Sequence, residues 1–172
     1  MEQEEIIEHL LEICVDEARK NRLRKQADLQ NIVFTLDNFM KIVLIHLRLR
    51  ANMPVILMGE TGVGKTSLVE YLAKIIDAEC KTLNVHAGVT EEEIVAHVKK
   101  AQDLARNQSL IGPPDRREKR KVIIFFDEIN TNTNISGLLK EVFVDRHIQG
   151  ERFEANVCLV AACNPTKFRK SE

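Results

Sequence analysis

Residues 59–66 read Gly-Glu-Thr-Gly-Val-Gly-Lys-Thr, a G-x-x-x-x-G-K-T string without mismatch, directly after the apolar run Val55-Ile56-Leu57-Met58. Few folds accommodate that arrangement. A strand that enters a glycine loop opening a helix turns successive backbone N–H groups toward one point, where they can wrap a phosphate chain. Gly59, Gly62 and Gly64 supply backbone angles that a side chain resists. The expected cradle is the run of amides from Gly59 to Ser67, including those of Glu60, Thr61 and Val63. Lys65 puts a point charge on the β/γ-phosphates, and Thr66 offers a hydroxyl to Mg²⁺. The helix that begins near Lys65 adds the positive end of its dipole. The competing reading is a glycine-rich turn that binds nothing; the strand and helix patterns on either side favour the phosphate.

Two later strand ends carry the complementary groups. Val122-Ile123-Ile124-Phe125-Phe126 is a continuous apolar run, the signature of a strand buried on both faces of a parallel sheet. It ends in Asp127-Glu128. Asp127 stands where a Mg²⁺-binding carboxylate is needed beside a phosphate loop. Glu128 points elsewhere and can act as general base on an attacking water. Val157-Cys158-Leu159-Val160-Ala161-Ala162 is a third such run and leads into Cys163-Asn164-Pro165. Asn164 then sits at the carboxyl edge of the sheet, where open α/β sheets bind ligands. A neutral amide there can hold the lytic water or touch the γ-phosphate. Lys65, Glu128 and Asn164 are the candidate catalytic residues; Thr66 and Asp127 are the candidate metal ligands. Ordinary alternatives exist for the later two: a solvated loop start for Asp127-Glu128 and a turn starter for Asn164-Pro165.

The chain of 172 residues is long enough for one core, and its 44% apolar and 30% charged content is that of a globular protein. A net charge of −1 disfavours nucleic acid as partner, and two short basic runs without interleaved aromatics do not reverse that. Cys14, Cys80, Cys158 and Cys163 show no metal-ligand spacing and read as reduced thiols of a cytoplasmic protein. The acidic start predicts no secretory leader, and no apolar stretch approaches the ~20 residues of a membrane span.

Ile6, Ile7, Leu10, Leu11, Cys14 and Val15 recur at helical spacing within residues 4–20, which predicts an amphipathic helix. A basic stretch, 19–25, follows. Residues 1–27 are therefore read as a helix and linker, and 28–172 as the core domain. Thr35 or Asp37 can cap a helix over roughly 37–50 that is apolar on most sides and is expected to be heavily buried. Further elements are a helix over 67–76, a strand over 81–85 and a helix opened by a Thr90/Glu93 capping box. A charged loop is expected over 107–121. A helix holding Ile135 to Val144, with caps among Thr131–Asn134, and a small hairpin about Gly150 complete the set. Strands and helices alternate, so the sheet is expected to be parallel with helices on both faces.

A glycine-loop strand, an intervening strand, an Asp-Glu strand and a polar-ended strand, in that order, resemble the additional-strand glutamate division of P-loop NTPases. Within it they resemble AAA+ ATPases, with Gly59–Thr66 as Walker A, Ile123–Glu128 as Walker B and Asn164 as sensor 1. Further segments are similar to the AAA+ modules of the mysterin family, giant RING-finger ubiquitin ligases with a dynein-like core: Phe34-Thr-Leu-Asp-Asn-Phe, Pro54-Val-Ile-Leu-Met-Gly-Glu-Thr-Gly, Leu83-Asn-Val-His-Ala-Gly, Phe125-Phe-Asp-Glu-Ile-Asn-Thr and Ala161-Ala-Cys-Asn-Pro. The resemblance implies ATP and Mg²⁺ as ligands. No RING-type Cys/His array is present, so ligase chemistry of that kind is not expected of this chain. In AAA+ proteins one more strand, beside the Walker A strand, and a helical lid follow sensor 1. Here Glu172 comes first. The expectation is thus a partial AAA+ core, truncated after the sensor 1 strand and without a lid subdomain, in which Val55–Met58 is an edge strand. Hydrolysis is expected to be weak in isolation, with neighbouring AAA+ modules or self-association through the open edge as partners. Arg146, Arg152 and Arg169 are the candidate trans-acting arginines. The alternative is a non-catalytic nucleotide-binding or interaction module.

Overall fold

A computed structural model of the protein describes residues 3–15, 20, 35–60, 62–111, 117–131 and 135–165. Four strands form one parallel sheet: β1 (Val55–Met58), β2 (Glu79–Asn84), β5 (Val122–Asp127) and β8 (Val157–Cys163). Their spatial order is β1-β8-β5-β2. The last of these four in chain order therefore lies between the first and the third of them. Met58 is level with Cys163, and Phe126 with Ala161. β1 is an edge of the described sheet, as the sequence predicts.

Residues of β5 alternate between two cores with the period of a strand. Ile123 and Phe125 face Leu10, Ile42, Leu49, Leu72 and Ile75 on one side. Ile124 and Phe126 face Ile94, Val98, Val142 and Phe143 on the other. The first layer is made by α1 (Gln3–Cys14), α2 (Leu36–Arg50) and α3 (Lys65–Ile76). The second is made by α4 (Glu91–Arg106), α5 (Ser136–Lys140) and the π-helical turn Glu141–Asp145. Burying a side chain of this size is worth about 1.5–3 kcal/mol. The two central strands are enclosed on both faces, and the helices of the two layers supply most of the remaining buried side chains.

Local signals set the helix starts. Thr35 Oγ1 accepts the Asn38 N–H at 3.2 Å and opens α2. Thr90 and Glu93 form the reciprocal capping box of α4, at 3.3 and 2.9 Å. The boundary at 27/28 and the extended piece at Val33-Phe34 lie outside the described residues.

Four expectations need correction. Helix α2 is not buried on most sides: Ile42, Ile45 and Leu49 are enclosed, but Met40, Leu44 and Leu47 are exposed. An apolar sequence tells how many faces want cover, and here only one of them receives it from the described residues. Within 107–121, short strands β3 (Leu110–Ile111) and β4 (Glu118–Lys119) pair antiparallel. Arg120 of the same stretch is tied to Asp77 at 2.6 Å and Glu79 at 3.3 Å. Thr131 does not cap the next helix; it belongs to a 3₁₀ turn, Ile129–Thr131, and Val144 beyond is exposed. Finally, β2 starts at Glu79, two residues before the expected start, because Glu79 N–H already finds the Lys121 carbonyl. The hairpin is as expected: β6 (His147–Ile148) and β7 (Glu151–Arg152) join through Gln149 and Gly150, whose φ of 49° and 78° match a primed turn.

His46 is buried in α2, and its Nδ1 has no partner among the described residues. Burial, with the charges of Arg50 and Lys121 nearby, lowers its pKa to about 4. The unfolded chain then takes up this proton first, near 6.5. Stability from the neutral imidazole is complete above pH 6.5 and is lost as pH falls toward about 4. Linkage bounds the loss at ~3 kcal/mol. Chemical denaturation of His46→Leu against the parent across this window should show the parent losing that much more stability, and parallel curves would remove the assignment.

Candidate functional site

The carboxyl ends of β1, β5 and β8 meet at one edge of the sheet. β1 runs into the glycine loop, and Gly59 N–H donates to the Cys163 carbonyl at 3.2 Å. This bond joins the loop to the last residue of β8. Gly62 and Gly64 adopt φ of 86° and 80°, and a Cβ built at either meets nothing within 4 Å. The left-handed backbone disfavours side chains on conformational grounds, while the space beside it is open. Gly64 is the N-cap of α3 and makes no side-chain cap bond. No side-chain cap therefore competes for the first amides of that helix, an arrangement that attracts an anion.

Lys65 reaches back over the loop. Its Nζ donates to the carbonyls of Gly59 at 2.7 Å and Glu60 at 2.9 Å, and to Asn164 Oδ1 at 2.9 Å. The next residue, Thr66, donates its hydroxyl to Asp127 Oδ2 at 2.7 Å. Asp127 Oδ1 in turn accepts the Glu128 N–H at 2.9 Å. Glu128 is held in a left-handed conformation with φ 59°. Its carbonyl is fixed by Thr131, which contributes its N–H at 3.1 Å and its hydroxyl at 2.9 Å. The same hydroxyl meets the Val85 carbonyl at the end of β2. A non-glycine residue in this region costs about 1–3 kcal/mol and persists only where its surroundings over-determine it.

The structure thus brings Lys65, Thr66, Asp127, Glu128 and Asn164 to one edge. Glu60 and Val63 are exposed on the loop, Ser67 is on the first turn of α3, and Thr61 lies outside the described residues. A groove of about 370 Å³ leads from Lys65 along the open side of β1, lined by Leu44, Ile56, Met58, Val63 and Leu68. The Thr66 hydroxyl and the Asp127 carboxylate are hard oxygen donors already in contact, which suits Mg²⁺. The open cradle suits phosphate oxygens.

One residue of the site was given no role by the sequence, although it lies in the family-like segment Phe125-Phe-Asp-Glu-Ile-Asn-Thr. Asn130, in the turn after Glu128, donates Nδ2–H to the Asn164 carbonyl at 3.0 Å and accepts the Asn164 N–H on Oδ1 at 3.2 Å. Its place in that segment, two residues after the acidic strand end, is the signal that could have found it.

The candidate arginines separate. Arg146 donates to the carbonyls of Asn52 at 3.2 Å and Val157 at 2.9 Å, at the opposite end of β8 from Asn164. Burial, foremost, lowers its pKa. It is engaged as a brace between the start of β8 and the turn before β1. Arg152 is exposed on β7, and Arg169 lies outside the described residues.

The model of a protein family described as the RNF213 AAA domain matches residues 32–167. The chain is 37% identical over 145 residues to the mouse "E3 ubiquitin-protein ligase RNF213", covering 80% of this chain and 3% of that protein. It is 40% identical over 138 residues to the zebrafish "E3 ubiquitin-protein ligase rnf213-beta", covering 76% and 3%. The chain therefore spans about 3% of the length of these relatives. Among solved structures, the Thermotoga maritima RuvB Holliday junction branch migration motor, in its P216G form, superposes with TM-score 0.53 at 18% identity, over 79% of this chain and 41% of that one. Caenorhabditis elegans PCH-2 superposes with TM-score 0.51 at 16% identity, over 86% and 43%. At such identities these two establish the fold, an AAA+-type P-loop sheet, and nothing more.

The brace predicts a separable effect. Arg146→Ala should lower unfolding stability by about 2 kcal/mol, the scale of charge-assisted bonds lost at a half-buried site. Ligand affinity at the glycine loop should be unchanged. Urea unfolding and ligand titration of the same variant measure both, and weakened binding without loss of stability would contradict the brace.

Proposed function

The chain belongs to the RNF213 (mysterin) AAA domain family, and on that premise we propose that it is a nucleotide-binding core that takes ATP with Mg²⁺ in the glycine loop and supports its hydrolysis. The observation that carries this reading is the convergence of three strand ends. Lys65 lies 2.9 Å from Asn164, and Thr66 lies 2.7 Å from Asp127, so loop, acid and amide share one cleft.

The roles follow from the chemistry. The amides between Gly59 and Ser67 receive the phosphate oxygens. Lys65 exchanges its contacts with Gly59, Glu60 and Asn164 for the β/γ-phosphates, so the triphosphate replaces three bonds already made to the ammonium. Thr66 and Asp127 hold Mg²⁺, which, when bound, neutralises charge on the β- and γ-oxygens. Glu128 accepts the proton of the attacking water. Its backbone is held in the turn by bonds to Asp127 and Thr131. Asn164 orients water or the γ-phosphate with its amide. A neighbouring module that supplies an arginine can raise such rates by ~10³–10⁵, so slow turnover is expected of the chain alone.

A second reading rests on β1. Ile56 and Met58 are 58% and 73% exposed on a strand that, among the described residues, is paired on one side only. Such an edge favours strand addition. We assign it contact with a neighbouring AAA+ module or a second copy, which also serves the alternative of a non-catalytic module. The relatives are named E3 ubiquitin-protein ligases. We propose that this chain gives such a ligase its nucleotide-responsive element, in the cytoplasm, where its free thiols stay reduced. Among the described residues no helix is long and apolar enough to cross a membrane.

Calorimetric titration with ATP, with and without Mg²⁺, tests the main reading. Lys65→Ala should weaken ATP binding by roughly ten- to a hundredfold, the equivalent of about 1.5–3 kcal/mol. Glu128→Gln should bind ATP as the parent does and lose phosphate release. Equal affinity of the parent and Lys65→Ala would overturn the proposal; turnover by Glu128→Gln at the parent rate would overturn the role of the base.

A further inference from the structure

We propose that Asn130 is the positioning residue of the hydrolytic site: its side-chain amide stands in for a missing strand partner and sets where Asn164 can reach. The inference deepens the nucleotide reading above and rests on it for its catalytic part.

β8 is paired on both sides along most of its length, but the two neighbours end at different levels. On the β1 side the ladder runs to Met58 and Cys163, and Gly59 extends it by one bond. On the β5 side it stops at Phe126 and Ala161. Beyond that point the chain turns away at Glu128, with φ 59°, into the 3₁₀ turn Ile129–Thr131. Asn164 would then present its N–H and carbonyl to no strand on that side. Asn130 returns from the turn and meets both, the carbonyl at 3.0 Å and the N–H at 3.2 Å. A carboxamide has the donor and acceptor of a peptide group, so it can replace one rung of a ladder. No other residue of this length offers both: an aspartate would set a carboxylate oxygen against the Asn164 carbonyl.

The consequence lies at the side chain. With its backbone fixed at both polar groups, Asn164 holds Oδ1 2.9 Å from Lys65 Nζ. Asn130 is also two residues from Glu128, and Thr131 clamps the Glu128 carbonyl to the end of β2. One short turn therefore fixes the base and the amide relative to each other. A 1 Å error in such a pair can cost about a hundredfold in rate.

The test uses the whole 172-residue chain and two independent readouts. The first needs no nucleotide: hydrogen exchange of the Asn164 backbone amide by NMR. Asn130→Ala should speed that exchange at least tenfold while the amides of Ile124 and Leu159 keep the parent rate. Unchanged exchange at Asn164 would overturn the proposal whatever the ligand does. The second is single-turnover ATP hydrolysis beside ADP binding. Asn130→Ala, Asn130→Asp and Asn164→Ala should each lose at least tenfold in hydrolysis and bind ADP within twofold of the parent. The double variant Asn130→Ala/Asn164→Ala should be no slower than Asn164→Ala alone, since both changes remove one unit. Multiplicative losses, or weakened ADP binding equal to the loss of rate, would overturn the positioning role. A parent chain that binds no nucleotide, with the exchange difference present, would instead overturn the nucleotide reading and confine Asn130 to a structural contact.

Discussion

Parallel pairing of β8 with β1 on one side and β5 on the other is the constraint from which the rest of the site follows. It places the end of the last strand between the glycine loop and the Asp127 carboxylate. Without it, Lys65 and Asn164, far apart in the chain, would have no reason to meet. The bond from Gly59 N–H to the Cys163 carbonyl passes that register into the loop itself. The position of the loop is therefore set by burial of two enclosed strands, whose side chains from Val122 to Phe126 and Val157 to Ala162 are almost wholly removed from solvent. Hydrophobic burial fixes the frame, and the polar contacts operate within it.

Strain and satisfaction are distributed unevenly over this frame. Glu128 occupies a left-handed conformation that a glutamate does not prefer, and three bonds through Thr131 and Asp127 hold it there. Lys65 has three oxygen partners before any ligand arrives. An incoming anion therefore competes for an ammonium that is already solvated by the protein, which limits affinity but keeps the side chain in place. The same logic applies to Thr66 and Asp127. Preorganised donors of this kind act on a reaction with little reorganisation at the moment of bond making.

Much of this was legible in the sequence, element by element. The glycine string and the apolar runs located three strands and their order along the chain. The Thr90/Glu93 box and the Gly150 hairpin were local signals, and local geometry honoured them. Other features were illegible for a physical reason. Exposure of Leu44 and Met40 depends on what lies across from α2, which its periodicity cannot state. Arg120 reads as one member of a charge run, yet it bonds Asp77 and Glu79 through a packing of distant segments. Arg146 reads as a candidate trans-acting arginine, yet it braces two backbone carbonyls.

The sequence by itself determined the α/β class, the loop that can cradle phosphate and the chemical type of each candidate group, because these depend on backbone freedom, strand burial and side-chain chemistry within a few residues. Tertiary structure alone decided which of those groups face one another. It put β8 inside the sheet, gave Asn130 to Asn164 and removed Arg146 to the far end. Those outcomes depend on register and strand order, which arise from side chains many residues apart competing to be buried together, and no short stretch of sequence encodes that competition.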